Sequence, residues 1–239
     1  MANLTSIERI SLHPTRRVSR RAALAGLAAG AAALTAGRMA AAACAATGYQ
    51  IDGPFYPLVL LPDQDADLTQ VTGGSGRAEG EVIEVVGQVR DANCRAVPGC
   101  VIEVWQADVH GRYTHPLDEP KGRPLDGNFQ GYARIAADKD GAYRFLTIKP
   151  GSYAAIGDWT RPPHIHFKVN APFNPPLTTQ MYFAGDPLND KDLLQAALSP
   201  AQRAMLQVAF DSKRADGVSV GTFDLVLAEG WVPPPELMP

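Results

Sequence analysis

Seven short segments, at 81–90, 100–107, 131–136, 142–146, 164–169, 178–183 and 222–227, constrain the fold most strongly. Each is rich in Val, Ile, Phe or Tyr, and clusters of Gly, Pro, Asn or Asp separate them. Short apolar runs with turn signals between them need facing layers to bury their side chains, which predicts an all-β chain with an antiparallel β-sandwich core and long loops. One or two short helices complete this architecture. Ser199 is placed to cap one of them, with Pro200 in its first turn and Ala204, Leu206, Val208 and Ala209 supplying apolar positions up to Phe210. Asp138-Lys139-Asp140-Gly141 reads as a hairpin turn.

The chain has 239 residues and a formal net charge of −3. Six Arg and one Glu lie in residues 1–44, so the remainder carries −8. An acidic body argues against nucleic acid or anionic lipid as the main partner. Arg16, Arg17, Arg20 and Arg21 precede an Ala/Gly/Leu run over 22–37 that is too short and too weakly apolar to cross a bilayer. Ser19-Arg20-Arg21-Ala22-Ala23-Leu24 resembles a twin-arginine export signal, with a general secretory signal or a basic amphipathic helix as alternatives. The expected organisation is a cleaved export signal over 1–44, an N-terminal arm and linker over 45–80, and a catalytic sandwich over 81–239. The Gly/Ser-rich stretch 73–80 reads as a flexible connection and 231–239 as an extended tail. The mature chain is then periplasmic or extracellular, with no membrane span.

Ala41-Ala42-Ala43 offers small-residue cleavage points before Cys44, which is also a candidate for lipid modification, although the Leu usual three residues earlier is missing. Cys94 and Cys100 flank a turn-rich segment, and in an exported protein they either pair or remain two small buried thiols.

His164-Ile165-His166 lies in a strand-like run, and residues two apart on a strand share a face. Both imidazoles can therefore reach one metal ion while Ile165 points away. No carboxylate stands beside them and no thiol is close in sequence, so neither a Cys/His zinc site nor a two-His-one-carboxylate iron site is evident. Phenols are the remaining hard donors. Tyr113, in Gly111-Arg112-Tyr113-Thr114-His115, and Tyr153, in Lys149-Pro150-Gly151-Ser152-Tyr153, each follow a turn at a strand end; taken singly, each also reads as a packed aromatic.

The motifs together carry a resemblance. Gly53-Pro54-Phe55-Tyr56, Trp105-Gln106-Ala107-Asp108, the Tyr113 and Tyr153 segments, Arg161-Pro162-Pro163-His164-Ile165-His166-Phe167 and Thr179-Gln180-Met181-Tyr182-Phe183 occur in the order found in intradiol ring-cleavage dioxygenases. The similarity is closest to protocatechuate 3,4-dioxygenase subunits and covers about residues 48–228. It implies a β-sandwich holding one Fe(3+) ligated by Tyr113, Tyr153, His164 and His166, a catecholic substrate and O2. It further implies that Tyr153 accepts a substrate proton and that Arg161 stabilises negative charge on the ring. Gln180 is either a second polar pocket residue or a strand amide satisfied by backbone, and His115 either supports the Tyr113 motif or lies at the surface. Ala155 stands where protocatechuate enzymes often carry Trp, which leaves the preferred catechol open. A homo-oligomer is possible in this family. Two other readings remain: a secreted, non-catalytic β-sandwich module binding phenolics or sugars, and a zinc or copper protein that would leave both tyrosines unexplained.

Overall fold

The computed structural model describes residues 44–59, 63–119, 122–172 and 174–228. Residues 1–43, all but the last residue of the export signal expected over 1–44, and the tail expected over 231–239 lie outside the described residues. The strands are β1 (Val82–Arg90), β2 (Val101–Gln106), β3 (Tyr132–Ala136), β4 (Ala142–Ile148), β5 (Tyr153–Ala154), β6 (Thr160–Arg161), β7 (His164–Asn170), β8 (Leu177–Phe183), β9 (Gln207–Val208), β10 (Ser212–Lys213), β11 (Ser219–Thr222) and β12 (Leu225–Val226). They form two five-stranded sheets and one small ribbon. In the first sheet β1 is central, with β4 on one flank and β11 and β12 sharing the other; the second runs β3-β2-β7-β8-β9, and β5 pairs with β6.

The two large sheets face each other across one core. Ile83, Val85, Val89 and Phe145 come from the first sheet, and Ile102, Val104, Ile165, Phe167 and Val169 from the second. Each such side chain contributes roughly 1.5–3 kcal/mol through burial. Alternation along the strands leaves the opposite face of the second sheet free for a different cluster. Trp105, Ala107, Tyr113, Tyr132 and Tyr153 gather there, with Phe55 and Tyr56 packed over them.

The sandwich and most of its strand boundaries match the sequence expectation, with instructive differences. Most pairings are antiparallel, but β1 pairs parallel with β11 and β12, and β8 with β9. The expected strand over 222–227 is interrupted at Phe223 and Asp224. Phe223 donates its N–H to Val86 O (2.8 Å) opposite Gly87, where any Cβ would run into the Phe223 carbonyl. The Asp138–Gly141 turn forms, with the Asp138 carboxylate accepting from the N–H groups of Asp140 and Ala142. It is a crossover rather than a hairpin, because β3 belongs to the second sheet and β4 to the first.

A 3-10 turn (Asn189–Lys191) and two α-helices, α1 (Leu193–Ala196) and α2 (Pro200–Leu206), follow β8. Ser199 and Gln202 form a reciprocal capping box at the start of α2. This helix stops at Leu206, short of Phe210, because Gln207 and Val208 extend to pair with Tyr182 and Phe183.

The 45–80 arm is anchored along the sandwich. Thr47 donates to Val226 O (3.0 Å), Gln50 to Thr178 O (2.9 Å) and Leu68 to Leu146 O (2.9 Å). The 73–80 segment is held as well, through Ala78 N–H to Thr69 O and Glu79 N–H to the Asp126 carboxylate. The pairing of Cys94 with Cys100 is not what forms. Cys94 bonds to Cys44, with Cα atoms 5.2 Å apart, while Cys100 is a free, buried thiol. The turn over 91–95 holds Cys94 on the outside, whereas Cys100 enters β2 with its side chain in the core, where burial pushes its pKa up to about 11. No helix among the described residues is long and apolar enough to cross a membrane.

Candidate active site

Four expected donors meet on the outer face of the second sheet. His164 and His166 lie at the start of β7 and are 2% exposed, while Ile165 between them points into the sandwich core. Tyr113 and Tyr153 arrive from the loop after β2 and from β5. Ring centroids are 4.9 Å apart for the two histidines, 5.6 Å for Tyr153 and His164, and 5.6 Å for the two tyrosines. The Tyr113 hydroxyl lies 3.4 Å from His164 Nε2.

Local sequence explains the convergence. Gly111 has φ +71°, and a Cβ there would strike the Ser152 carbonyl; a Cβ on Gly151 would strike the Val109 carbonyl. The two tyrosine-bearing loops therefore touch through bare backbone, and Gly151 donates to Asp108 O (2.8 Å). The buried Asp108 carboxylate accepts from the N–H groups of His110, Arg112 and Asp126. Asp118 accepts from Tyr113 N–H (2.9 Å) and from Arg112 Nε (2.7 Å). Phe55 stacks on Tyr113 at 4.6 Å, and Trp105 lies parallel to His166 at 4.7 Å with only 8° between the planes. Gly53 backs onto the His166 ring, with its missing Cβ site 3.4 Å from Cε1.

The electrostatics suit neutral nitrogen and potential oxyanion donors. Burial, then the Arg161 charge, pushes both histidines well below their ordinary pKa, so both imidazoles are neutral. His164 Nδ1 sits 2.6 Å from Pro162 O; donating there leaves the lone pair on Nε2, facing the tyrosines. Burial raises both phenols, Tyr113 most strongly, while Arg161 pulls each back. A nearby cation would reverse that balance and favour phenolate. The buried Nδ1 of His166 has no hydrogen-bond partner. Two neutral imidazoles and two phenols at one dry locus fit a hard, high-valent metal ion, and no group of three or more His, Cys, Asp or Glu among the described residues competes for one.

Arg161, at the end of β6 opposite Tyr153, is 4% exposed. It donates from Nε to Asp192 Oδ2 (2.8 Å), and from an Nη to Gln180 Oε1 (2.6 Å) and the Tyr182 hydroxyl (3.3 Å). Burial opposes its charge, but the oxygens of Tyr182, Tyr153 and Asp192 outweigh it and its pKa is raised. Gln180 uses its other end to donate to Ile51 O (3.0 Å), so it ties the arm to Arg161 and does not line the cavity. His115 is 9% exposed; its Nδ1 accepts from Leu117 N–H, and its ring meets Phe55 edge-on, so it supports the loop behind Tyr113. Asp192, which also caps α1 by accepting from Gln195 N–H, was not foreseen, and nothing in its local pattern marks it.

A cavity of about 280 Å³ opens in front of this cluster. Tyr153 and Arg161 line it together with Phe55, Trp159 and Ala155, while Tyr113, His164 and His166 do not. A larger cavity of about 390 Å³, between Asp63 and Gln130, touches none of the four donors.

A family model described as dioxygenase matches residues 51–229. The chain is 41% identical to the protocatechuate 3,4-dioxygenase beta chain of Burkholderia cepacia over 180 residues, covering 73% of this chain and 76% of that one. The chain belongs to the intradiol ring-cleavage dioxygenase family. It is also 30% identical to a catechol 1,2-dioxygenase of Acinetobacter baylyi over 63% of its length, spanning only half of that relative. Among solved structures it is similar to the dioxygenase domain of a dioxygenase carbohydrate-binding protein fusion from the cellulolytic bacterium Streptomyces sp. SirexAA-E. That likeness has a TM-score of 0.56 and 29% identity, and covers 78% of this chain and all of that one. Membership makes this intradiol dioxygenase an oxidoreductase rather than a non-catalytic binding module, and its family uses non-haem iron.

Proposed function

We propose that this chain opens catechol rings between the two hydroxyl-bearing carbons with O2, giving muconate-type diacids, at a single ferric ion held by Tyr113, Tyr153, His164 and His166. The observation that carries the reading is the meeting of two phenols and two neutral imidazoles at one buried point. When bound, ferric iron would supply Lewis acidity toward both catechol oxygens and draw electron density from the ring. The residues supply the rest. Tyr153 alone among the four donors lines the cavity, so an arriving catechol meets it first; its phenolate oxygen is placed to take one of the two protons the substrate must lose. Tyr113, clamped by Phe55 and the Asp118 carboxylate, stays in place with the two histidines. The Arg161 guanidinium, fixed by Asp192 and Gln180, offers preorganised donors for negative charge developing on the ring, an effect of roughly 10²–10³ in rate.

Export through a twin-arginine route to the periplasm or beyond, with cleavage ahead of Cys44 rather than after it, fits Arg20-Arg21 and is supported by the Cys44–Cys94 bond, which an oxidising compartment would preserve. The test is direct. The purified chain should carry about one iron and a visible phenolate-to-iron charge-transfer band. Catechol, protocatechuate or hydroxyquinol should consume O2 and yield a diacid, with labelled oxygen incorporated. A yellow semialdehyde product would mean cleavage beside the diol, and a colourless, zinc-loaded protein would displace the ferric reading.

A further inference from the structure

The mouth of the Tyr153 cavity is more apolar and more open than a bare catechol ring requires. Ile51, Leu117 and Ile156 line it, yet they are 51%, 65% and 82% exposed, and Ala155 adds no bulk between them and Tyr153. Large aliphatic side chains kept in solvent around a concave site mark a binding surface. The cavity's 280 Å³ lies near the lower end for drug-sized ligands, roughly 300 Å³, and so leaves room beyond one ring.

Charge at the mouth argues about what fills that room. Asp118, Glu119, Arg123 and Arg161 are the charged lining residues among those described, two of each sign. Both cations already have protein partners. Arg161 is engaged by Asp192 and Gln180, and Arg123 donates to the Gly111 and His110 carbonyls with another nitrogen 4.0 Å from Asp118. A substrate carboxylate seated at this mouth would lose water, find Arg123 already bonded and Arg161 held beside Tyr153 for the ring, and share the lining with Glu119.

We infer that the site selects catechols bearing a bulky, uncharged apolar substituent, seated on the Ile51, Leu117 and Ile156 collar, over catechols bearing a carboxylate. The inference rests on the catechol reading above and refines its substrate class. A second copy of the chain is the competing occupant of the collar. The substituent is favoured because the collar is continuous with the wall that carries Tyr153 and Arg161.

The iron-loaded full chain would be offered 4-tert-butylcatechol, catechol and protocatechuate, with kcat/KM measured in air and Kd by calorimetry under nitrogen. The four-carbon apolar group should give an advantage of about tenfold or more over protocatechuate in both quantities. Ile156→Arg, at a highly exposed position, should shift that ratio toward protocatechuate by about tenfold while the melting temperature holds. Equal or tighter binding of protocatechuate to the unaltered chain would overturn the inference. So would a dimer that Ile156→Arg dissociates while the substrate ratio stays fixed. Absence of turnover with all three compounds would count against the catechol-cleaving reading instead, and the Kd comparison would still decide this one.

Discussion

Removing the carboxylate behind Arg161 should damage stability and turnover together. Asp192 is fully buried and holds the guanidinium at 2.8 Å, so Asp192→Asn leaves a cation in the protein interior without its counter-charge. Breaking a buried pair from one side costs about 3–5 kcal/mol. The same carboxylate caps α1 through Gln195 N–H, and the single amide oxygen of Asn cannot serve both partners, which adds up to about 1 kcal/mol. At about 2–4 °C per kcal/mol for a chain of this size, the pair alone should lower Tm by about 6–20 °C. Calorimetric melting of the metal-loaded protein, with and without the substitution, reads this directly. Turnover should fall further than unfolding explains, by about 10²-fold at a temperature where the variant is fully folded, because Arg161 donors displaced by an ångström lose their alignment. Arg161→Leu in the Asp192→Asn background should recover much of the lost Tm without restoring turnover, since it removes the uncompensated charge. A variant that melts within 2 °C of the parent and turns over normally would refute the argument that this pair positions the guanidinium.

Peptide mapping without reduction should recover Cys44 and Cys94 in one linked fragment, with Cys100 alkylated only after unfolding. Cys94→Ser should cost about 2–4 kcal/mol by releasing a loop of 50 residues, measured by denaturant unfolding; an unchanged midpoint would mean the bridge does not form in solution. Arg20→Lys with Arg21→Lys should trap precursor in the cytoplasm, because Lys lacks the planar donor geometry of the guanidinium. Normal export of that double variant, followed by cell fractionation, would favour a general secretory signal.

The strand pattern and the histidine pair were legible because both rest on period two. His164 and His166 share a face for the same reason that Ile165 joins the core, and the alternation is written in the sequence. The two tyrosines were legible through their order among other motifs rather than through any local property. Asp192 was not, since it caps a four-residue helix with no periodicity and reaches Arg161 only in space. The Cys44 partnership escaped for a similar reason: short loops around Cys94 and Cys100 suggested proximity, but the orientation of each side chain decides which sulfur is reachable. The arm over 45–80 looked like a linker because its anchors are scattered: main-chain hydrogen bonds from Thr47, Gln50 and Leu68, and isolated side chains such as Leu68 in the core and Phe55 on Tyr113, which together make no periodic pattern.

The position of β1 bears on how the chain reaches its folded state. The first strand of the sandwich is central, yet one flank is completed only by β11 and β12, and Gln88 N–H is bonded to an Asp224 carboxylate 136 residues away. Pairing over such separation closes a very long loop and is expected to be a slow, late event. Until residues 219–226 have been synthesised, β1 presents one unpaired edge, the kind of surface that other chains can add to. A nascent chain of this protein is therefore expected to keep that edge open through most of its synthesis, and the sandwich closes only with the arrival of its last strands.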